Sequence, residues 1–179
     1  MHNDIGSIVL TEEQIEAACN RLGKQLTEDY NGKLPLCVGI LKGSVLFMTD
    51  LIKHIDTHVE IDFMDVSSYH GGTESTGEVK ILKDLGTSVE NRDVIIIEDI
   101  LETGTTLNSI IDLLKYRKAN SIEIVTLLDK PSRRKVDIQA KYVGEKIPDD
   151  FVVGYGLDYQ EKYRNLPYIG LLKEEIYAK

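Results

Sequence analysis

The sequence predicts an α/β fold built on a parallel sheet. The apolar runs at 36–41 and 94–97 have the continuous hydrophobicity of strands that are buried on both faces. The second run is followed by a segment with helical periodicity and then by another apolar run at 122–128. A strand–helix–strand order implies a right-handed parallel crossover, so we expect parallel strands with helices packed against the sheet.

The first helix is indicated by its start signal and by its periodicity. Thr11 and Gln14 have the spacing of a capping box, and Leu10 and Ile15 can form the hydrophobic staple around it. Apolar residues then recur at the spacing of one helical face, at Ile15, Ala18, Cys19, Leu22, Leu26 and Tyr30. Asn31-Gly32 predicts the end of this helix.

The remaining elements follow from the same patterns. We expect a turn at 42–44, a helix over 45–55, a strand over 59–66 and a helix after Thr106 with Leu107, Ile110, Ile111 and Leu114 on one face. In the C-terminal third, the runs at 142–143, 151–153 and 168–170 indicate short strands and loops. Between 67 and 78 the chain is polar and rich in Gly, Ser and Thr, which fits either a lid or an idle surface loop.

Length and charge limit the possible functions. A chain of 179 residues is enough for one domain, 1–179, and its net charge of −9 argues against a nucleic-acid coat or a cationic membrane binder. Cys19 and Cys37 fall in apolar patterns and fit small core residues in a reducing compartment. No signal peptide or membrane span is visible, so we expect a cytoplasmic protein.

The strand at 94–97 ends in two acids and then in a loop of small residues. Glu98 and Asp99 stand where ligands bind in open parallel sheets, and the loop at 103–106 opens directly onto a helix. A helix start favours phosphate, while paired acids suit sugar hydroxyls or a divalent cation. The pattern therefore indicates a phosphorylated sugar with Mg²⁺, against the alternative of a solvated strand end and an ordinary helix cap.

Residues 94–107, VIIIEDILETGTTL, resemble the phosphoribosyl-diphosphate-binding motif of the type I phosphoribosyltransferases. Three further segments match that family in the right order: Leu41-Lys42-Gly43-Ser44, the polar segment with Ser68-Tyr69, and the stretch from Leu127 to Arg164. The polar segment resembles the family's mobile lid, so the resemblance favours a lid over an idle surface loop. The resemblance implies a Rossmann-like parallel sheet flanked by helices, with a core at about 30–130. It also implies a small hood made by the N-terminal segment and about 131–179, and a cis Leu41–Lys42 peptide.

The resemblance also implies roles for individual residues. It assigns Glu102 as the catalytic base, where the family mostly has Asp, so the carboxylate here is one methylene further out. It places the purine against Ile100, Lys130, Phe151, Val152 and Asp158, with Lys130 donating to a 6-oxo group, and Mg²⁺ against Glu98, Asp99 and Asp158. Phosphoribosyl diphosphate is assigned to Leu41, Lys42, Gly43, Ser68, Tyr69, Glu98, Asp99, Thr103, Gly104, Thr105, Thr106 and Arg164.

The implied reaction is purine salvage, in which the 5-phosphoribosyl group passes from phosphoribosyl diphosphate to hypoxanthine or guanine, in a homodimer or homotetramer. One alternative is a nucleotide-sensing RNA-binding regulator on the same fold, suggested by the basic run Lys130, Arg133, Arg134 and Lys135. The overall acidity disfavours it, and a solvated turn beside Lys130 accounts for the run. Another alternative is a phosphoribosyltransferase for xanthine, adenine or a pyrimidine.

Overall fold

Two sheets organise residues 1–68 and 79–178, which are the residues described by a computed structural model of the chain. The strands are β1 (Ile5–Leu10), β2 (Leu36–Leu41), β3 (Glu60–Ser68), β4 (Val79–Lys83), β5 (Asp93–Leu101), β6 (Ser121–Asp129), β7 (Tyr142–Lys146), β8 (Val152–Val153) and β9 (Ile169–Leu172). The α-helices are α1 (Glu12–Tyr30), α2 (Val45–Leu51), α3 (Thr105–Tyr116) and α4 (Glu174–Tyr177). Short 3₁₀ turns lie at His2–Asp4, Ile52–His54 and Pro131–Arg133.

The larger sheet confirms the predicted α/β fold. Its strand order is β4-β3-β2-β5-β6-β7, and all neighbours run parallel except the antiparallel pair β3 and β4. The run at 94–97 forms the fully buried middle of β5, between β2 and β6. Since parallel strands end at one edge of a sheet, the carboxyl ends of β2, β5 and β6 lie side by side, which is where ligands bind in such sheets.

Helix α1 begins with the predicted capping box. The Thr11 backbone N–H donates to Gln14 Oε1 at 2.8 Å, and the Gln14 N–H donates to Thr11 Oγ1 at 3.3 Å. The predicted apolar face is buried, and the helix ends at Tyr30. The helix predicted over 45–55 is shorter, because α2 ends at Leu51 and tightens into the 3₁₀ turn Ile52–His54, which supplies closer partners for its last carbonyls.

The smaller sheet joins the two ends of the chain, in the order β1-β9-β8. Sequence patterns did not indicate β1, because half of its residues are exposed and they show little alternation of apolar and polar side chains. Its pairing with β9 is antiparallel, with Ile8 opposite Gly170. Between β8 and β9 the chain makes the loop 154–168, which this sheet holds against the carboxyl edge of the larger one.

Both cysteines are free and buried, as expected of core residues. Burial raises the pKa of the Cys19 and Cys37 thiols to about 12, so neither is prepared to act as a nucleophile. Within the described ranges, no helix combines the length and the apolar character needed to cross a bilayer.

The loop after β4 is attached to the end of α3 by a bidentate ion pair. Arg117 Nη1 and Nη2 donate to the two Asp84 carboxylate oxygens at 2.7 and 2.6 Å, and this pairing lowers the pKa of Asp84. Both side chains are substantially exposed, so solvent screening limits the cost of Asp84→Asn to about 1 kcal/mol or less of unfolding free energy.

The pH dependence of this contribution follows from the direction of the shift. A carboxyl group with a lowered folded-state pKa stabilises the fold above its unfolded pKa, and the contribution is lost as pH falls through the folded value. Urea unfolding should therefore separate wild type from Asp84→Asn at neutral pH and not in strong acid. Asp137→Asn, at an exposed position outside the ion pairs of the described chain, is the control. Equal destabilisation at both pH values would contradict this account.

Candidate active site

A cavity of about 260 Å³ opens at the carboxyl end of β5. It is lined by the acids of the strand end, by the loop that follows them and by apolar residues of neighbouring strands: Ile40, Val66, Glu98, Asp99, Ile100, Leu101, Glu102, Thr103, Gly104, Thr106 and Leu107. Most of the residues predicted at this strand end therefore share one cavity. Ile100 lies in its wall and packs against the larger hydrophobic core.

The strand-end acids are crowded. Burial and then the neighbouring charge of Asp99 raise the pKa of Glu98 well above its usual value. Burial also raises the pKa of Asp99, although its hydrogen bonds, including the 2.7 Å bond from the Ile100 backbone N–H, oppose the shift. Two adjacent carboxyl groups that resist ionisation in this way would both be stabilised as carboxylates by a nearby cation.

The loop after β5 presents the start of α3 to the cavity. Gly104 is the N-cap of α3 and has φ +77°, and a Cβ atom there would lie 2.3 Å from Ile138 Cγ2. Because the N-cap residue is a glycine, no side chain caps the start of α3. The alternative of an ordinary threonine cap therefore does not account for this loop. Thr103 Oγ1 instead accepts from the Thr105 backbone N–H at 3.4 Å, and Thr105 and Thr106 form the first turn. This geometry is typical of phosphate sites.

The loop after β2 packs directly against Asp99. The Leu41–Lys42 peptide is cis, as the resemblance implies. A Cβ atom on Gly43 would lie 1.8 Å from Asp99 Oδ2, and one on Gly156 would lie 1.9 Å from the Gly43 carbonyl oxygen. Asp99, Gly43 and Gly156 are therefore packed on one another without room for another carbon atom. This packing fixes the loop after β2 relative to the strand-end acids.

Glu102 forms a close ion pair with a buried lysine. Lys130 Nζ lies 2.6 Å from Glu102 Oε1, and the Lys130 side chain is 5% exposed, against 37% for Glu102. Arg134 Nη1 donates to the Glu102 carbonyl oxygen at 2.8 Å. The residue predicted to act on the purine proton and the residue predicted to recognise its oxo group are thus direct neighbours.

The basic run at 130–135 is not the solvated turn expected from the sequence. Lys130 is buried, and Arg134 is largely buried and pairs with the Asp129 carboxylate. Arg133 pairs with Asp149 at 3.2 Å. The expectation of a solvated turn beside Lys130 was wrong for Arg134, because a run of charges does not show which side chains turn inward. With these charges neutralised, the run offers little basic surface for RNA.

Asp158 and Arg164 form one cluster in the loop 154–168. Arg164 Nη2 lies 2.9 Å from Asp158 Oδ1, and Arg164 Nη1 donates to the Gly156 carbonyl at 2.7 Å. Arg164 Nε is buried, with no hydrogen-bond partner in the described part of the chain. Lys42 Nζ pairs with Glu161 Oε2 at 3.0 Å, and Glu161 was not predicted because nothing in its local sequence marks it.

The predicted carboxylates do not form a three-membered metal site. Among residues 1–68 and 79–178, no group of three His, Cys, Asp or Glu side chains is arranged to hold an ion. Asp158 is instead engaged with Arg164. Glu98 and Asp99 remain as a pair at one cavity wall, so a metal here would need further oxygens from a ligand.

Phe151 and Val152 lie at the start of β8, the edge strand of the smaller sheet. Val152 is buried in β8 opposite Leu171 of β9. The Phe151 ring is 38% exposed and stacks on Tyr177, with ring centroids 4.8 Å apart, while Tyr159 meets it edge-on. Tyr177 was not predicted, since its contact depends on the position of α4.

Ser68 ends β3 with only its backbone described, and Tyr69 and the rest of the predicted lid to residue 78 lie outside the described residues.

Comparison with known proteins agrees with this geometry. The family model "Phosphoribosyl transferase domain" matches residues 7–160. A hypoxanthine-guanine phosphoribosyltransferase of Staphylococcus aureus is 74% identical over 178 residues, which cover 99% of both chains. The enzyme of that name from Staphylococcus epidermidis is 71% identical over 179 residues and 100% of both chains.

Solved structures give the same result. The crystal structure of a hypoxanthine phosphoribosyltransferase from Staphylococcus aureus has a TM-score of 0.97 and 73% identity, and the match covers 100% of this chain and 97% of that one. A hypoxanthine-guanine phosphoribosyltransferase from Bacillus anthracis has a TM-score of 0.91 at 45% identity, over 94% and 99% of the two chains. The chain therefore belongs to the phosphoribosyltransferase family, in the branch of the hypoxanthine-guanine phosphoribosyltransferases.

Proposed function

We propose that this protein transfers the 5-phosphoribosyl group from phosphoribosyl diphosphate to hypoxanthine or guanine, giving the nucleoside monophosphate and diphosphate. One observation carries the proposal. One cavity is lined by a carboxylate pair, a phosphate-type helix start and Glu102, and Glu102 is in turn paired with the buried Lys130. These are the groups needed for the ribose, its 5′-phosphate and a 6-oxopurine. Assembly as a homodimer or homotetramer and a cytoplasmic location stay predictions.

Mg²⁺ fits the strand-end acids. Mg²⁺ is commonly held by one or two carboxylates together with substrate phosphate oxygens, so a pair without a third protein ligand is sufficient. Glu98 and Asp99 would hold it, and a bound cation would offset the burial that raises the pKa of both carboxyl groups. When bound, the ion would neutralise charge on the diphosphate. The predicted role of Asp158 as a third ligand is weakened by its pairing with Arg164.

The purine would lie between Ile100 and Phe151, with its 6-oxo group towards Lys130. A buried ammonium group donates a strong hydrogen bond to an oxo group but finds no acceptor in a 6-amino group, so the site would discriminate against adenine. Glu102, which lies 2.6 Å from Lys130, would accept the proton that the purine ring loses. Val152 would contribute its backbone at the other edge of the base.

The diphosphate would leave towards the loop after β2. As the purine nitrogen forms its bond to the anomeric carbon, the bond from that carbon to the diphosphate oxygen breaks, and charge grows on the leaving group. Lys42 and Arg164 carry the positive charge on this side, and the buried Arg164 Nε supplies an N–H that has no partner within the described residues. Donors placed where charge develops stabilise the transition state.

The proposal is tested by turnover of phosphoribosyl diphosphate with four bases in parallel. We expect diphosphate release with hypoxanthine or guanine, much less with xanthine, none with adenine, and dependence on added Mg²⁺. Release that proceeds equally with adenine, or without a base, would overturn the proposal.

Lys130→Met tests the recognition of the oxo group. Loss of a hydrogen bond from a charged donor should lower kcat/KM for hypoxanthine by about 10- to 150-fold while the KM for phosphoribosyl diphosphate changes little. Lys141→Met is the matched control, because Lys141 pairs with Asp29 on the surface at 3.1 Å and is remote in sequence from the cavity residues. Equal activity of the two variants would remove Lys130 from the site.

A further inference from the structure

We propose that Glu161 acts as an internal anion that competes with the diphosphate group of the substrate for Lys42 and Arg164. The inference rests on the proposed function, which assigns these two cations to the diphosphate. It adds a residue outside the predicted set and gives it an effect opposite to that of a binding residue. Glu161 would weaken the binding of phosphoribosyl diphosphate, so that its removal strengthens it.

The contacts of Glu161 link the two cations. Its Oε2 lies 3.0 Å from Lys42 Nζ, and its Oε1 lies 3.3 Å from Arg164 Nη2. Each carboxylate oxygen thus takes one cation, which is how a phosphate group would bridge them. Lys42 and Arg164 belong to different loops, after β2 and before β9, and the Glu161 carboxylate joins them.

A tight turn holds Glu161 in this position. Tyr159 and Lys162 exchange backbone hydrogen bonds of 3.2 and 3.1 Å, and the two residues between them, Gln160 and Glu161, have φ of +53° and +62°. Positive φ at both central residues is the conformation of a type I′ turn. Asp158 Oδ2 also accepts from the Glu161 backbone N–H at 2.8 Å. The backbone is therefore fixed, and only the side chain has to rotate to release the cations.

The electrostatics favour ion pairs of Glu161 with Lys42 and Arg164 that form in the free protein and are easily displaced by another anion. Lys42, and then Arg164, lower the pKa of Glu161, so its carboxyl group is ionised at neutral pH. The Lys42 and Glu161 side chains are 61% and 65% exposed. Exposed ion pairs are weak and screened by salt, so a diphosphate with several charges can displace a single carboxylate.

Isothermal titration of the full chain with phosphoribosyl diphosphate in the presence of Mg²⁺, and with inorganic diphosphate, tests this role. Loss of two exposed ion pairs should make Glu161→Gln bind both ligands about three- to tenfold more tightly at low salt. The gain should shrink at high salt and in a Lys42→Gln background, where one contact is already missing. The KM for phosphoribosyl diphosphate should fall in parallel, without a matching fall in the KM for hypoxanthine.

Glu90→Gln is the matched control, because Glu90 makes an exposed ion pair with Lys118 at 3.3 Å near the amino end of β5. It removes the same charge and should leave both affinities unchanged. Unchanged or weaker binding by Glu161→Gln, in a wild-type enzyme that turns over hypoxanthine, would overturn the inference and leave the proposed function intact. A wild-type chain that neither binds phosphoribosyl diphosphate nor turns over would overturn both.

Discussion

Glu102→Gln is expected to lower kcat with hypoxanthine by about 10²- to 10⁴-fold, the range that general acid–base groups contribute. The amide keeps the size of the side chain and can still accept a hydrogen bond from Lys130, which lies 2.6 Å from Glu102 Oε1. It cannot take a proton from the purine. Steady-state rates over a range of pH would show a flattened acidic limb in the variant.

Glu102→Asp is the matched variant, since it restores the carboxylate on a side chain one methylene shorter. It should recover most of the lost kcat, because the family resemblance places an Asp at this position. Binding of phosphoribosyl diphosphate, measured by titration, should be nearly unchanged in both variants. A Glu102→Gln enzyme with normal turnover and a normal pH–rate profile would exclude Glu102 from the chemistry.

Gly156→Ala is expected to destabilise the fold by roughly 2–5 kcal/mol, from backbone strain and from overpacking. Gly156 has φ +100°, and a Cβ atom there would lie 1.9 Å from the Gly43 carbonyl oxygen. Relief of that clash must move either loop, and both carry groups assigned to the diphosphate. Thermal unfolding should show a Tm lower by roughly 5–15 °C, and the KM for phosphoribosyl diphosphate should rise.

Gly32→Ala separates the two causes. Gly32 also has a positive φ, of +73°, but a Cβ atom there would meet nothing within 4 Å. Its substitution should cost only the strain, about 1 kcal/mol, and leave the KM values unchanged. Equal losses of stability in the two variants would show that the contact between Gly156 and Gly43 has no energetic importance.

The sequence predicted those parts of the fold that are specified locally. The capping box and apolar face of α1 and the buried run in β5 each depend on neighbours in the chain, and the structure confirms them. Strand β1 could not be predicted, because its only signal is the partner β9 from the far end of the chain. The early end of α2 similarly reflects a tight turn that the apolar pattern does not distinguish from a longer helix.

The candidate site divides in the same way. The acids in the last part of β5 and the small residues that follow it form a contiguous pattern, so their clustering follows from the sequence and one loop. The contacts of Arg134 with Asp129 and of Glu161 with Lys42 join charged residues whose direction is decided by tertiary packing. A linear charge pattern does not contain that direction, which is why Arg134 was expected in solvent.

The pairing of β1 with β9 has a consequence for local unfolding of the protein. Almost the whole length of the chain separates these strands, so the small sheet closes the largest loop in the fold, and its nucleation has a high entropic cost. Partial unfolding should therefore begin there, and amide hydrogens of β8 and β9 should exchange before those of the buried β5. Such an opening would release Arg164 while the acids and the start of α3 stay assembled, so the loop that we assign to the 5′-phosphate would keep its structure.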